Sequence, residues 1–279
     1  MKKQALFFAA ADIQNFPYAV KFWNSMTKFH SPKDVDMIFW TNEKRPEMLK
    51  QLPKGIMVAD ITPFIKDDPI FWYRQKPLLA EQYMDEYELV VGFDVDQIVC
   101  GDLNYIIKTK DYDLGTVINW NRVDPQMYGF VDLARLGVPP VEYYNCGMVA
   151  MRSKKLVHHW KVLCYSPEFN YMQYKEQDVL NILAHFGNYN VRCFDLADGP
   201  ANYYAWHGLI VKGEMMRIEL RGNDLVVPQG EGDTPFPPAD MKIKLIHFAG
   251  GQGAQKFNYK IMVKENVAKK IDALIAPTL

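Results

Sequence analysis

Leu89-Val90-Val91-Gly92-Phe93-Asp94-Val95-Asp96 is an apolar run that ends in two carboxylates. An unbroken apolar stretch bounded by polar residues is the pattern of a strand buried on both faces, as in the parallel sheets of α/β proteins. Two Asp side chains at its end offer oxygen ligands to a hard divalent cation and, through it, to phosphates. Two other D-x-D pairs occur, Asp34-Val35-Asp36 and Asp111-Tyr112-Asp113, but each precedes its apolar run. Open α/β sheets bind ligands at the carboxyl ends of their strands, a condition that only Asp94 and Asp96 meet. The other two pairs read as solvated turns.

The segments on either side alternate in type. Residues 4–10 form a short apolar run, followed by Phe16, Ala19, Val20, Trp23, Met26 and Phe29 at helical spacing. A second strand is expected over 35–40, a short helix from Pro46, and a third strand over 55–59. Residues 75–87 read as a helix with Pro77 in its first turn, feeding the strand that ends in Asp94. Later strands are expected over 114–118, 148–151, 191–194 and 243–248, and helices over 153–164 and 175–186. This β–α alternation predicts a doubly wound, parallel sheet. Residues 230–240, rich in Pro and Gly, read as a surface loop within one domain spanning 1–279, with a nucleotide-binding half over 1–103 and an acceptor half over 104–279.

With 279 residues, 49% of them hydrophobic, the chain can bury a large core, which excludes a disordered protein. A formal charge of −1 supplies no drive toward nucleic acid, and no nucleic-acid-binding pattern is present. No apolar run approaches bilayer-spanning length. Cys100, Cys146, Cys164 and Cys193 lack C-x-x-C or disulfide-like spacing and read as buried thiols of a cytoplasmic protein.

A third ligand for the cation is sought at the end of another strand. His247 closes the run Lys244-Leu245-Ile246 and opens the glycine-rich stretch Phe248-Ala249-Gly250-Gly251-Gln252-Gly253, whose backbone N–H groups can approach phosphate oxygens. Taken alone, His247 reads equally as a hydrogen-bonded interior histidine and the glycines as a turn. Asp94, Asp96 and His247 together make a mixed O/N set, and imidazole shifts preference from magnesium toward manganese.

The ordered series Phe93-Asp94-Val95-Asp96, Gly101-Asp102-Leu103, Asn145-Cys146-Gly147, Glu176-Gln177-Asp178-Val179-Leu180-Asn181 and His247-Phe248-Ala249-Gly250 resembles the retaining GT-A glycosyltransferases of family 8, the glycogenin-like and galactosyltransferase-like group. The resemblance covers about residues 4–260. It implies a Rossmann-like mixed α/β sheet of predominantly parallel strands with helices on both faces. It also implies a UDP-sugar donor, a Mn2+ ion with Mg2+ as substitute, and transfer of a hexose with retention of anomeric configuration. Asp94, Asp96 and His247 would bind the metal, with Val95 at the donor between the two carboxylates.

By the same resemblance, Asp12 would lie near the uridine, although Ala9-Ala10-Ala11 stands where more polar residues are common. Arg74 or Lys76 would set a cation against the donor, with a solvated helix start as the alternative reading of either. Asn145 and Gly147 would meet the sugar, Asn119 a sugar hydroxyl, Gln177 the anomeric carbon and Asp178 the donor hydroxyls. Lys256, or Gln252 and Gly250 beside it, would contact the β-phosphate. Glu176 replaces a common Asp, keeping the charge and lengthening the reach.

The resemblance implies an acceptor that is a saccharide, glycolipid or protein hydroxyl. The aromatic residues Tyr143, Tyr144, Tyr203, Tyr204, Trp206 and His207 read as either a sugar-stacking surface or core. Lysines 260, 264, 269 and 270 beside Ile261, Val267 and Ile271 read as a solvated helix face or a weak peripheral membrane contact. Two other functions account for Asp94 and Asp96: a haloacid-dehalogenase-type phosphohydrolase, and a non-catalytic nucleotide-sugar binding protein.

Overall fold

The computed structural model of the chain describes residues 2–118, 143–194, 201–204, 218–228, 241–248, 259–261 and 263–277. A seven-stranded sheet takes the spatial order β3-β2-β1-β4-β7-β6-β8. Its strands are β1 Leu6–Ala11, β2 Asp36–Thr41, β3 Met57–Asp60, β4 Val90–Phe93, β6 Leu114–Ile118, β7 Tyr144–Met151 and β8 Val191–Cys193. β1 to β4 pair in parallel, β7 runs antiparallel to both β4 and β6, and β8 pairs in parallel with β6. Six strands therefore share one direction and β7 opposes them. The mixed, mostly parallel sheet is the expected one; the alternation alone, read as wholly parallel, missed the reversal of β7.

All six residues of β1 are buried, because helices cover both faces of the sheet and leave no solvated side. Phe7, Ala9 and Ala11 point to one core with Phe16, Phe22 and Trp23 of α1, Phe16–Met26. Leu6, Phe8 and Ala10 point to the other, built from α4 (Gln75–Glu81), α6 (Lys154–Cys164) and α7 (Glu176–Phe186). α4 stops at Glu81 and continues as turns to Tyr87, shorter than expected. Of the short helices, α2 (Pro46–Leu49) and α5 (Asn104–Lys108) pack on the first core and α3 (Thr62–Asp67) on the second.

A second sheet runs β10-β11-β12-β5, with β9 parallel to β12. Its members are β5 Gln97–Val99, β9 Ala201–Tyr204, β10 Glu219–Arg221, β11 Asp224–Val227 and β12 Met241–His247. β10 and β11 form a hairpin across Gly222-Asn223, with Gly222 at φ +60, a left-handed turn position that favours glycine. Helix α8, Glu265–Ile275, buries Val267, Ala268, Ile271 and Leu274 in a third core behind this sheet. On its outer side Lys269 pairs with Glu265 and Lys260 with Asp272, so acids neutralise part of the lysine face.

Candidate active site

Two strand pairings build the site. β4 ends at Phe93 and β5 begins at Gln97, so Asp94-Val95-Asp96 is the turn that carries the chain from the large sheet to the small one. β12 runs antiparallel to β5 with His247 opposite Gln97, and Phe248 N–H donates to Asp96 O at 2.9 Å. That register puts the imidazole beside the carboxylates: His247 Nε2 lies 3.3 Å from Asp96 Oδ1 and 3.6 Å from Asp94 Oδ2. One ligand atom from each of the three residues lies within 4.8 Å of the others. His247 and Asp96 are buried and Asp94 is partly open, so the cluster has a closed back and one accessible side. Two carboxylates and an imidazole form a donor set suited to Mn2+ and acceptable to Mg2+.

The reversed β7 supplies the next component. Because it runs against β4, its first residues, not its last, reach the carboxyl edge where Asp94 sits, and Asp94 N–H donates to Gly147 O at 2.8 Å. Gly147 has no side chain for a direct reason: a Cβ there would fall on the His247 ring and on Asn145 Oδ1. Asn145 Oδ1 accepts the Gly147 N–H at 2.7 Å, and Asn145 Nδ2 donates to Gln177 Oε1 at 2.8 Å. Cys146 N–H donates to the same oxygen at 3.0 Å. The amide oxygen of Gln177 is thus held by two donors, which fixes the side chain at the head of α7.

Lys175, at φ +50, turns the chain into α7 so that Glu176, Gln177 and Asp178 occupy its first turn. Asp178 is fully buried; its carboxylate accepts from Tyr143 Oη at 2.6 Å and from Tyr174 N–H at 2.8 Å. Burial pushes its pKa up, opposed by those bonds. Asn181, one turn on, exchanges hydrogen bonds with both backbone groups of Tyr144 and so ties α7 to β7. Tyr144 stacks on His185. Tyr143 and Tyr144 are therefore bound up in the β7–α7 junction; for Tyr203 and Tyr204 only the backbone is described, and Trp206 and His207 lie outside the described residues.

Of the two cations before β4, Lys76 comes to the site. It is buried in the first turn of α4, with Nζ 2.5 Å from Asp94 Oδ1 and 3.2 Å from Glu176 Oε1. Burial would lower its pKa, but Asp94 and Glu176 outweigh that and hold it above the ordinary lysine value. Glu176 Oε2 also accepts the Lys76 N–H at 3.3 Å, so its extra methylene lets it brace both the start of α4 and the lysine. Burial raises the Glu176 pKa, with Lys76 opposing. Arg74 turns away: it pairs with Asp68 at 2.7 Å, stacks on Tyr165 and donates to Cys164 O.

Asp12 follows β1 directly, and its Oδ1 accepts from both N–H and Nδ2 of Asn15 at 2.8 Å. It lines a recess of about 200 Å³ with Ala10, Ala11, Asn15, Trp72, Gln75, Asp94, Val95 and Asp96. Trp72 and Gln75 carry no sequence signal beyond their position near Arg74 and Lys76. Asn119, Gly250, Gln252 and Lys256 lie outside the described residues. Cys100, Cys146 and Cys164 are buried and Cys193 is half-buried, with no disulfide among them. No helix among the described residues is long and apolar enough to cross a membrane.

No protein-family model and no curated relative matches the sequence. Solved structures do match. The apo structure of the bifunctional glycosyltransferase WbbM superposes with a TM-score of 0.64 at 14% identity, over 100% of this chain and 50% of that one. The galactosyltransferase LgtC in complex with donor and acceptor sugar analogues gives 0.59 at 16% identity, over 95% of this chain and 99% of that one. An active-site mutant of LgtC gives 0.60 at 17% identity. The chain spans half the length of WbbM and nearly all of LgtC. It has the GT-A glycosyltransferase fold.

Proposed function

We propose that this chain is a metal-dependent retaining glycosyltransferase of the family 8 type, which passes a hexose from a UDP-sugar to an acceptor hydroxyl. The observation that carries this reading is the convergence of Asp94, Asp96 and His247 from two sheets on one edge, beside a recess that runs to Asp12. Asp94, Asp96 and His247 would hold Mn2+, or Mg2+ in its place, which would supply positive charge where negative charge gathers on the departing diphosphate. Residues 1–103 hold the nucleotide and 104–279 the sugar and acceptor.

The chain's own groups do the rest. Lys76 adds a fixed cation next to Asp94 and is itself held by Glu176, so it is oriented before the donor arrives. Gln177 is placed beside the anomeric carbon, but its amide oxygen already accepts two hydrogen bonds and a neutral amide is a poor nucleophile. Same-face attack by the acceptor is the step this arrangement favours over a covalent glycosyl intermediate. Asn145 holds Gln177, Asp178 anchors the turn beneath it, and Asn119 meets a sugar hydroxyl. Gly250, Gln252 and Lys256 serve the β-phosphate. The acceptor is a saccharide, a glycolipid or a protein.

The test is manganese-dependent release of nucleoside diphosphate from UDP-glucose, UDP-galactose, UDP-GlcNAc and GDP-mannose, with and without saccharide acceptors. Turnover of one UDP-sugar that disappears in Asp96→Ala and His247→Ala is the expected result. UDP binding without any turnover points instead to a non-catalytic binding protein. Hydrolysis of an aryl phosphate with UDP-sugars untouched points to a phosphohydrolase.

A further inference from the structure

A second cavity lies away from the carboxylate cluster. It measures about 590 Å³, against about 200 Å³ for the recess beside Asp94. Val20, Asn24 and Thr27, a single stripe of α1 at i, i+4 and i+7, line it together with residues 50–54, which follow α2, and Pro277, which follows α8. These walls are fastened to one another. Asn24 Nδ2 donates to Ile275 O at 3.1 Å and ties the end of α8 to α1. Gly55, at φ +92, approaches Pro32 so closely that a Cβ would stand 2.8 Å from the proline Cβ, and glycine alone lets the two segments meet there. The donor side is remote: Asn15 begins α1 beside Asp12, and Thr27 at the far end is roughly 18 Å along the helix at 1.5 Å per residue.

The lining has two chemistries. Val20, Leu52 and the prolines 32, 53 and 277 are aliphatic, and no aromatic ring is among the lining residues. Lys50 and Lys54 bring two positive charges, and no acid lines the cavity. Among the described residues neither ammonium has a carboxylate at ion-pair distance, in contrast to Lys44 and Lys154, which pair with Asp60 and Asp85. Two like charges at one cavity repel each other, and an anion brought between them reverses the sign of the interaction. The aliphatic lining in turn gains from every methylene it takes out of water. Without an aromatic ring the stacking contact that holds a nucleobase is missing, so a saturated body fits better than a flat one.

We propose that this cavity is a binding site for a small amphiphilic anion, an aliphatic chain headed by a carboxylate or a phosphate, with the chain against Val20, Leu52 and the prolines and the head at Lys50 and Lys54. A volume of about 590 Å³ lies within the ~300–1,000 Å³ of small-molecule pockets, and the mixture of an apolar lining with a few polar groups is the usual one for such pockets. The site is independent of the UDP-sugar reading, since none of its lining residues belongs to the carboxylate cluster or to the recess beside it.

The experiment is calorimetric titration of octyl phosphate, octanoate, 1-octanol and inorganic phosphate, each below its micellar concentration, into wild type, the double variant Lys50→Ala/Lys54→Ala, Thr27→Trp and Asp96→Ala. Wild type is expected to bind at least one of the two anions about tenfold more tightly than octanol, the combined scale of two exposed ion pairs, and to bind inorganic phosphate weakest of all. The double lysine variant should keep octanol binding and lose the preference for the anion. Thr27→Trp, which fills the cavity, should weaken anion and alcohol together. Asp96→Ala should match wild type, because the site is not the metal cluster. Octanol bound as tightly as both anions, an unchanged preference in the lysine variant, or loss of binding in Asp96→Ala would overturn the proposal. Cosedimentation with phosphatidylglycerol vesicles by a wild type that ignores the free amphiphiles would overturn it too, in favour of a membrane surface.

Discussion

Replacing Lys76 with methionine removes one charge and little volume, and isolates what the buried cation does. Lys76 is 3% exposed and spans two acids, Asp94 at 2.5 Å and Glu176 at 3.2 Å. A unit pair at about 4 Å with an effective dielectric near 20 interacts by about 4 kcal/mol, and the desolvation of three ions offsets much of the total. What survives is the cost of stranding the partners. Breaking a buried pair by deleting one member typically costs about 3–5 kcal/mol, because a charge is left without compensation. Set against a domain stability of about 5–15 kcal/mol, that is a large fraction.

The assay is urea unfolding in metal-free buffer for wild type, Lys76→Met, Glu176→Gln and the double variant. Lys76→Met is expected to lose about 3–5 kcal/mol, and the double variant less than the sum of the two single losses, since removing Glu176 leaves less charge stranded. Added Mn2+ should narrow the gap between Lys76→Met and wild type, because the freed carboxylates bind it more tightly and ligand binding to the native state stabilises that state. A loss under about 1 kcal/mol, the scale of a surface pair, with strict additivity, would refute the argument that this triad is a buried unit.

Three further outcomes follow from other parts of the site and core. Gly147→Ala should lose about 1–3 kcal/mol and weaken Mn2+ binding in calorimetry, since the new Cβ must push the His247 ring away from the carboxylates. Tyr143→Phe removes the 2.6 Å bond to the buried Asp178 and should cost about 1.5–3 kcal/mol in thermal or urea unfolding, the range for a hydrogen bond to a charged group. His30 is buried with Nε2 accepting the Leu103 N–H at 3.0 Å, and burial holds its pKa below the ordinary 6.5. The unfolded chain therefore takes up this proton first as pH falls. The His30 contribution is complete above about pH 6.5 and declines below it until the folded histidine titrates, with a slope of at most about 1.4 kcal/mol per pH unit. His30→Asn should remove that part of the acid-side slope in urea midpoints measured from pH 7.5 to 5.

The stretch from Leu89 to Asp96 was legible because two rules act on it locally: a strand buried on both faces must be apolar throughout, and ligands gather where such strands end. The placement of His247 needed more. It depends on β12 lying antiparallel to β5, a three-residue strand some 150 positions earlier in the chain, and no local pattern encodes that register. The reversal of β7 is likewise a tertiary matter, although Asn145 and Gly147 stand out in the sequence through their N-x-G spacing. Sequence left Arg74 and Lys76 as equals. The start of α4 at Gln75 separates them, giving Lys76 a first-turn position toward Asp94 and leaving Arg74 outside the helix with Asp68. The Gly222-Asn223 hairpin, by contrast, is written locally, as a two-residue Gly-Asn turn signal between short strands.

The proposed function requires Asp94, Asp96 and His247 to hold a divalent metal that in turn holds a nucleotide. The most direct measurement is calorimetric titration of UDP into the protein with Mn2+ and with the metal removed by chelation, repeated on Asp96→Ala. Binding that requires Mn2+ in the wild type and is lost in Asp96→Ala is the predicted result. UDP binding of equal strength with and without metal, or undiminished in Asp96→Ala, would contradict it.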